Sequence, residues 1–211
     1  MRRVLLFLIC FTLAGVLQAQ TAEKPELREI IFSGNQKISS GSLRDIIYSE
    51  ETPMWLWKFL NSFSGFGAPP IYFDNSTIQY DLRALADFYT SNGFFQAEFS
   101  ARHDTLEDGV YVYYDVKEGP QSKFGEIDFF GFPKNDSLFV IEAMRGFSLD
   151  STQYFNQQQI KANIDNIILF LENNGYMTAR FDSTIILRDT VEHRAHLIVH
   201  LSMGKRFTIS N

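Results

Sequence analysis

The chain has 211 residues, 45% hydrophobic and 21% charged, enough apolar content for one or two small folded domains. Its 25 acidic against 19 basic residues give a net charge of −6 without any basic run, which argues against nucleic acid as a partner and against simple electrostatic adhesion to anionic lipid. A single cysteine, Cys10, excludes an internal disulfide and a cysteine-based metal site.

In chain order, Arg2-Arg3 precede an apolar run from Val4 to Leu17, and Ala19 offers a small residue before a cleavage point. Residues 1–19 therefore read as a secretory signal peptide. The run is short of the roughly 20 residues that a membrane-spanning helix needs. Phe7-Leu8-Ile9-Cys10 lacks the small residue of a lipoprotein signal. Loss of this segment would leave 17 basic against 25 acidic groups, a net charge of −8, and no thiol. Residues 20–26 form a polar lead.

Leu27 to Phe32 reads as a strand with Ile30 and Phe32 on one face, and Ser33-Gly34-Asn35 as a turn. Ser39 or Ser40 can cap a short helix carrying Leu43, Ile46 and Ile47. An aromatic stretch follows, residues 52–73, whose only charge is Lys58. Trp55, Trp57, Phe59, Phe63 and Phe66 give it more apolar surface than a small domain easily buries, so it is a candidate docking surface for the membrane interface, a barrel or a partner. Packing back over its own helices or the neighbouring domain is the alternative.

Asp74 or Asn75 is expected to cap a long helix with the stripe Ile78, Leu82, Leu85 and Tyr89. Asn92-Gly93 ends it, because glycine takes the left-handed cap conformation at low cost. A strand is predicted from Phe94 to about His103, then a hairpin turn at Glu107-Asp108-Gly109. Val110, Val112, Tyr114 and Val116 alternate as in a strand with one buried face, and Glu118-Gly119-Pro120 closes the unit. The order is strand, helix, helix, strand, strand.

The unit then returns. Ile160, Ile164, Ile167, Leu171 and Asn174-Gly175 match the long helix and its cap 82 residues later, with Ala179 and Phe181 matching Ala97 and Phe99. Ile127, Phe129 and Gly131 match Ile30, Phe32 and Gly34 at an offset of 97. Leu138 and Ile141 match Leu43 and Ile46 at 95, and Leu197, Val199 and Leu201 match Val112, Tyr114 and Val116 at 85. The falling offset places about 13 extra residues between the two helices of the first copy. Lys205 to Ile209 resembles Lys123 to Ile127, so residues 205–211 read as the start of a truncated following element.

No catalytic constellation is legible, so no enzyme activity, metal or cofactor is expected. His196 and His200 alternate with Leu197, Val199 and Leu201, which puts them on the polar face of a strand, about 13 Å apart at a rise of ~3.3 Å per residue. Glu50-Glu51 and Glu107-Asp108 lie in loops or helix ends without an apolar pocket to split their pKa values. A three-stranded sheet leaves two edges open, and extended peptides add to such edges through backbone hydrogen bonds.

Ile31-Phe32-Ser33-Gly34-Asn35, Tyr89-Thr90-Ser91-Asn92-Gly93-Phe94 and Val116-Lys117-Glu118-Gly119-Pro120, with looser counterparts at Phe129-Phe130-Gly131-Phe132, Asn173-Asn174-Gly175-Tyr176 and Leu201-Ser202-Met203-Gly204, resemble the POTRA domains of the BamA/TamA superfamily. The resemblance covers residues 27–120 and 121–204. It implies an α+β fold of two β-α-α-β-β domains, each a three-stranded mixed sheet covered on one face by two helices, with structural glycines at Gly34, Gly93, Gly119, Gly131 and Gly175. It implies a periplasmic arm in front of an outer-membrane β-barrel, holding unfolded outer-membrane proteins or accessory assembly subunits by strand addition. It also points to the strand after each long helix as the binding edge, with Phe95, Ala97, Phe99, Met177, Ala179 and Phe181 as candidates. The arm of a two-partner secretion or export transporter, and a divisome protein of the FtsQ type, remain the alternatives.

Overall fold

The computed structural model describes residues 24–53, 62, 69–133 and 136–207. Their packing falls into two compact units. The larger comprises Ile30–Glu50, Asp74–Arg102 and residues 112–207; the smaller comprises residues 24–29, 51–53, 62, 69–73 and 103–111. In chain order the elements are β1 (Leu27–Ser33), α1 (Ser40–Arg44), α2 (Thr77–Ser91), β2 (Glu98–Leu106), β3 (Gly109–Lys117), β4 (Lys123–Phe130), α3 (Ser137–Ala143), a 3-10 turn (Met144–Gly146), α4 (Gln157–Asn173), β5 (Arg180–Asp189) and β6 (Arg194–Ser202). The sheet orders are β1-β3-β2 and β4-β6-β5.

The last strand of each repeat is thus the central one. In the second sheet β4 runs parallel to β6 and β5 antiparallel to it. Centrality explains the strict alternation: Val110, Val112 and Tyr114 are fully buried, as are Ala195 and Leu197 in the other copy. The fold is α+β, two three-stranded mixed sheets with helices, as the repeat pattern predicts.

Both long helices end in the same glycine motif. Phe94 N–H donates to Tyr89 O (2.9 Å) and Gly93 N–H to Thr90 O (3.1 Å); Tyr176 N–H donates to Leu171 O (3.0 Å) and Gly175 N–H to Glu172 O (3.1 Å). Gly93 and Gly175 sit at φ 87° and 92°, a conformation that side chains with a Cβ adopt at a cost. Gly34 and Gly131 have a second reason to be glycine. A Cβ there would stand 2.0 Å from Val116 O and 1.9 Å from Leu201 O, inside the strand it crosses.

Several expectations are corrected. The first helix is a single turn that stops at Arg44, capped by Ser39, so Ile46 and Ile47 lie beyond it, the latter buried. Ser76, not Asp74 or Asn75, stands at the N-cap position of α2 but its side chain makes no capping bond there; the Asp74 carboxylate instead accepts from Ser76 N–H (2.9 Å) and from the Ser76 hydroxyl (2.8 Å). Leu138 and Ile141 do not repeat Leu43 and Ile46. They are 78% and 59% exposed, because α3 turns Phe139 and Ala143, four residues apart, toward the core instead. The strands begin at Glu98 and Arg180, four residues later than expected. Residues 94–97 and 176–179 are turns: Phe94 and Tyr176 N–H bond back to the helix ends, and Ala97 N–H (to Phe94 O, 3.3 Å) and Ala179 N–H (to Tyr176 O, 2.8 Å) close the turns on themselves.

Candidate functional site

The first repeat is built around two buried carboxylates. Asp81, fully buried on α2, accepts from Tyr48 N–H (2.7 Å), Ser49 N–H (3.2 Å), the Ser49 hydroxyl and the Tyr114 hydroxyl (2.5 Å). Glu118 accepts from Lys37 N–H (2.9 Å), Ile38 N–H (3.2 Å) and the Tyr89 hydroxyl (3.0 Å). Burial first, and hydrogen bonding to the carboxylate second, push both tyrosine pKa values well above 10. In the second repeat the matching residues are Asn163, Val199, Leu171 and Met203. Asn163 keeps the loop-holding bond, accepting from Ser148 N–H (2.7 Å), and the other three are apolar core. These groups are internal braces for the loops and expose no reactive atom.

The sheet edges differ. β2 carries Glu98, Arg102, His103 and Asp104 along an almost wholly exposed strand. The middle of β5, Ser183-Thr184-Ile185-Ile186-Leu187, has no charge, proline or glycine, and among the described residues its outer edge pairs with no strand. Ile185 and Leu187 are 48% and 52% exposed on the open face. A bulge between Phe181 and Ser183 returns Phe181 to the helix-facing side, opposite Leu201, beside Thr184 and Ile186. With Ile160, Lys161 and Ile164 of α4 these side chains line a groove of about 590 Å³ running along the edge. The Thr184 hydroxyl oxygen is buried and finds no hydrogen-bond partner among the described residues.

Of the six edge candidates, only Phe99 and Phe181 lie on strands. Phe99 is half-buried and packs edge-on against Tyr89 (5.2 Å), on the core side of β2. Phe95 lies in the turn before β2, its ring packed on Phe155 (5.0 Å) with the Arg188 guanidinium 4.5 Å from its centre. Ala97 and Ala179 lie in the turns, the latter buried, and Met177 is 71% exposed. The aromatic docking candidates Trp55, Trp57, Phe59, Phe63 and Phe66 lie outside the described residues. The ends of that stretch are tied to the start of the first strand and the residues just before it: Thr52 N–H donates to Leu27 O (2.7 Å), Leu27 N–H to Ile71 O (2.8 Å), and Phe73 N–H to Pro25 O (2.9 Å).

His196 and His200 occupy the open face of β6. His196 Nδ1 accepts from Glu126 N–H (3.1 Å), and His200 stacks on Phe130 (5.3 Å). Sequence reasoning missed Asp81, although its place between Ile78 and Leu85 on the helix stripe was the signal available. It also missed the β5 bulge, which no residue type announces.

Two β-α-α-β-β repeats, each a three-stranded mixed sheet with helices, define a tandem α+β module, and the second has an edge strand whose middle five residues carry no charge beside a groove. Residues 25–119 match the POTRA family model, described as a surface antigen variable number repeat. The first repeat is therefore a POTRA domain, and the second has the same fold. The chain is 25% identical over 171 residues to the outer membrane protein assembly factor BamA of Nitratidesulfovibrio vulgaris, and 24% identical over 157 residues to that of Neorickettsia risticii. Those matches take in 80% and 74% of this chain but only 20% of either relative, so the chain spans about a fifth of their length. Among solved structures, domains POTRA3-5 of Haemophilus influenzae BamA superpose with a TM-score of 0.50 at 19% identity, covering 88% of this chain and 68% of that one.

Proposed function

We propose that this chain is part of the periplasmic arm of an outer-membrane β-barrel assembly factor, and that it holds substrate or accessory polypeptides by adding their strands to β5. The relatives' description as outer membrane protein assembly factors supports the setting. The uncharged middle of β5, Ser183 to Leu187, flanked by Arg180 and Asp182 on one side and Arg188 and Asp189 on the other, carries the site beside its groove. An added strand would complete the backbone bonds of the edge and set alternate side chains into the groove, where the Thr184 hydroxyl offers one polar contact and Phe181, Ile160 and Ile164 apolar ones. Charge on an edge is the common protection against such pairing, and this stretch of β5 has none.

The test uses a labelled peptide that alternates aromatic and polar residues, as a barrel strand does, and reads its affinity by fluorescence anisotropy. Phe181→Glu and Ile185→Lys, both at exposed positions, should each weaken binding by about tenfold or more, since placing charge beside an added strand works against its pairing. Ser100→Lys on β2 should leave binding unchanged. Loss of binding with the β2 variant alone would place the site on the other edge and refute the assignment. The aromatic stretch of residues 52–73 is proposed as a separate contact with the membrane interface. Absence of a blue shift in Trp55 and Trp57 emission on adding lipid vesicles would count against it.

A further inference from the structure

The joint between the two repeats reaches the open edge of β5. Ser122 N–H donates to Gly93 O (2.9 Å) and Phe155 N–H to Ser122 O (2.9 Å), and the Phe155 ring, 1% exposed, packs on Phe95 of the first repeat. Phe95 in turn carries the Arg188 guanidinium, which belongs to the last turn of β5 pairing. Ser91 of α2 lines the groove beside β5 together with Gln157 and Gln158 at the start of α4, so the first repeat supplies part of its wall.

Residues directly opposite each other in an antiparallel pair turn their side chains to the same face. Phe181, Thr184, Ile186 and Arg188 stand opposite Leu201, Val199, Leu197 and Ala195, all buried on the helix-covered side. These four therefore form one row on the groove side of β5. The first three line the groove, and Arg188 ends the row at the joint. The other charges around the edge are engaged. Lys161 pairs with Asp165 and Arg180 with Asp182, while Asp189 accepts from Val191 N–H (2.8 Å) and Glu192 N–H (2.9 Å). Arg188 has no carboxylate partner among the described residues, and its guanidinium rests on the Phe95 ring, 4.5 Å from the centre.

We infer that Arg188, held by Phe95 of the first repeat, selects among the strands that add to β5. It takes a strand whose groove-facing residues are uncharged opposite Phe181, Thr184 and Ile186, and whose next groove-facing residue, at the joint, is Asp or Glu. A guanidinium resting on a ring keeps its in-plane N–H groups free, and their planar fork matches the two oxygens of a carboxylate. Holding the side chain in advance reduces the freedom it loses on binding. The same row explains the rejection of charge further along, where Phe181 and Ile186 offer no partner and the Lys161 and Asp165 charges already satisfy each other. Specificity thus lies in the second repeat's edge and is positioned by a ring of the first. The inference rests on strand addition at β5 and deepens it.

The experiment uses short labelled peptides, blocked at both ends, in which Leu alternates with Ser, and reads their affinity for the chain by fluorescence anisotropy. The last groove-facing residue is Glu or Gln, placed at one end of the peptide or at the other so that both strand directions are covered. For one of the two placements the Glu peptide should bind about fivefold or more tighter than its Gln twin, as a charge-assisted hydrogen bond exceeds a neutral one. Arg188→Gln should abolish that preference and leave the affinity for the Gln peptide unchanged. Arg188→Glu should turn the preference toward a Lys peptide. Phe95→Leu, which keeps an apolar side chain in the joint, should reduce the preference without weakening the Gln peptide, as expected of a positioning residue. Equal affinity for the Glu and Gln twins at both placements, or a preference that survives Arg188→Gln, would overturn the inference, while strand addition stands if Ile185→Lys still weakens both peptides. Failure of these peptides to bind, or binding that Ile185→Lys does not weaken, would overturn strand addition at β5 and the inference with it.

Discussion

Replacing Glu118 by methionine, the residue that stands at the matching place in the second repeat, isolates the energetic role of the buried carboxylate. The substitution removes the acceptor of three hydrogen bonds. Tyr89 is fully buried, so its hydroxyl would be left without a partner or water, at a cost of about 1–3 kcal/mol. Lys37 is exposed and Ile38 half-buried, so water can replace most of what their N–H groups lose, adding about 1 kcal/mol. The sum, about 3 kcal/mol, should lower the melting temperature by roughly 6–12 °C in a chain of this size. Tyr89→Phe alone removes one bond and leaves the carboxylate its two N–H donors, costing about 1 kcal/mol. The double variant no longer strands a hydroxyl, and should be about 1–2 kcal/mol more stable than the sum of the two losses. Urea denaturation followed by circular dichroism, compared at constant slope, measures all four corners of the cycle. Strict additivity, or a neutral Glu118→Met, would show that the carboxylate does not hold this core and would refute the reasoning.

Tyr89 and Tyr114 make an alkaline prediction. Their folded-state pKa values lie above the unfolded value near 10, so the stability they confer is fully present below pH 10 and is lost as pH rises beyond it. Denaturant midpoints should fall from pH 10 upward, by at most about 1.4 kcal/mol per pH unit for each tyrosine, with late phenolate absorbance appearing together with unfolding. A single titration step near pH 10 in the folded protein would contradict this. Gly34→Ala places a Cβ 2.0 Å from a carbonyl oxygen at φ 77°, and should destabilise by about 2 kcal/mol or more. Gly41→Ala, on α1 with nothing nearer than 3.8 Å, should be neutral or stabilise by about 0.5–1 kcal/mol. Thermal melts of the pair that agree with each other would remove the close-approach argument.

The sequence by itself determined the repeat, because helix stripe, glycine cap and alternating strand are local patterns with fixed periods, and each appeared twice in the same order. It also determined the α+β class and the glycines, since a backbone that must turn left-handed or pass within 2 Å of another strand leaves few residue types. Only the tertiary structure decided which polar residues are interior. Asp81 and Glu118 look like surface carboxylates in one dimension, and become core because tyrosine hydroxyls and loop N–H groups distant in sequence converge on them. It decided, too, that Leu138 and Ile141 face outward while Phe139 faces in, since a seven-residue helix has no long stripe to fix its rotation. Phe95, an edge-strand candidate by sequence, lies in the joint between repeats, because the chain leaves the helix cap through a turn, closed by Ala97 N–H on Phe94 O, before the strand begins. The groove along β5 depends on a bulge that shifts Phe181 across the sheet, a displacement of register set by pairing with β6 and not by the residues of β5 alone.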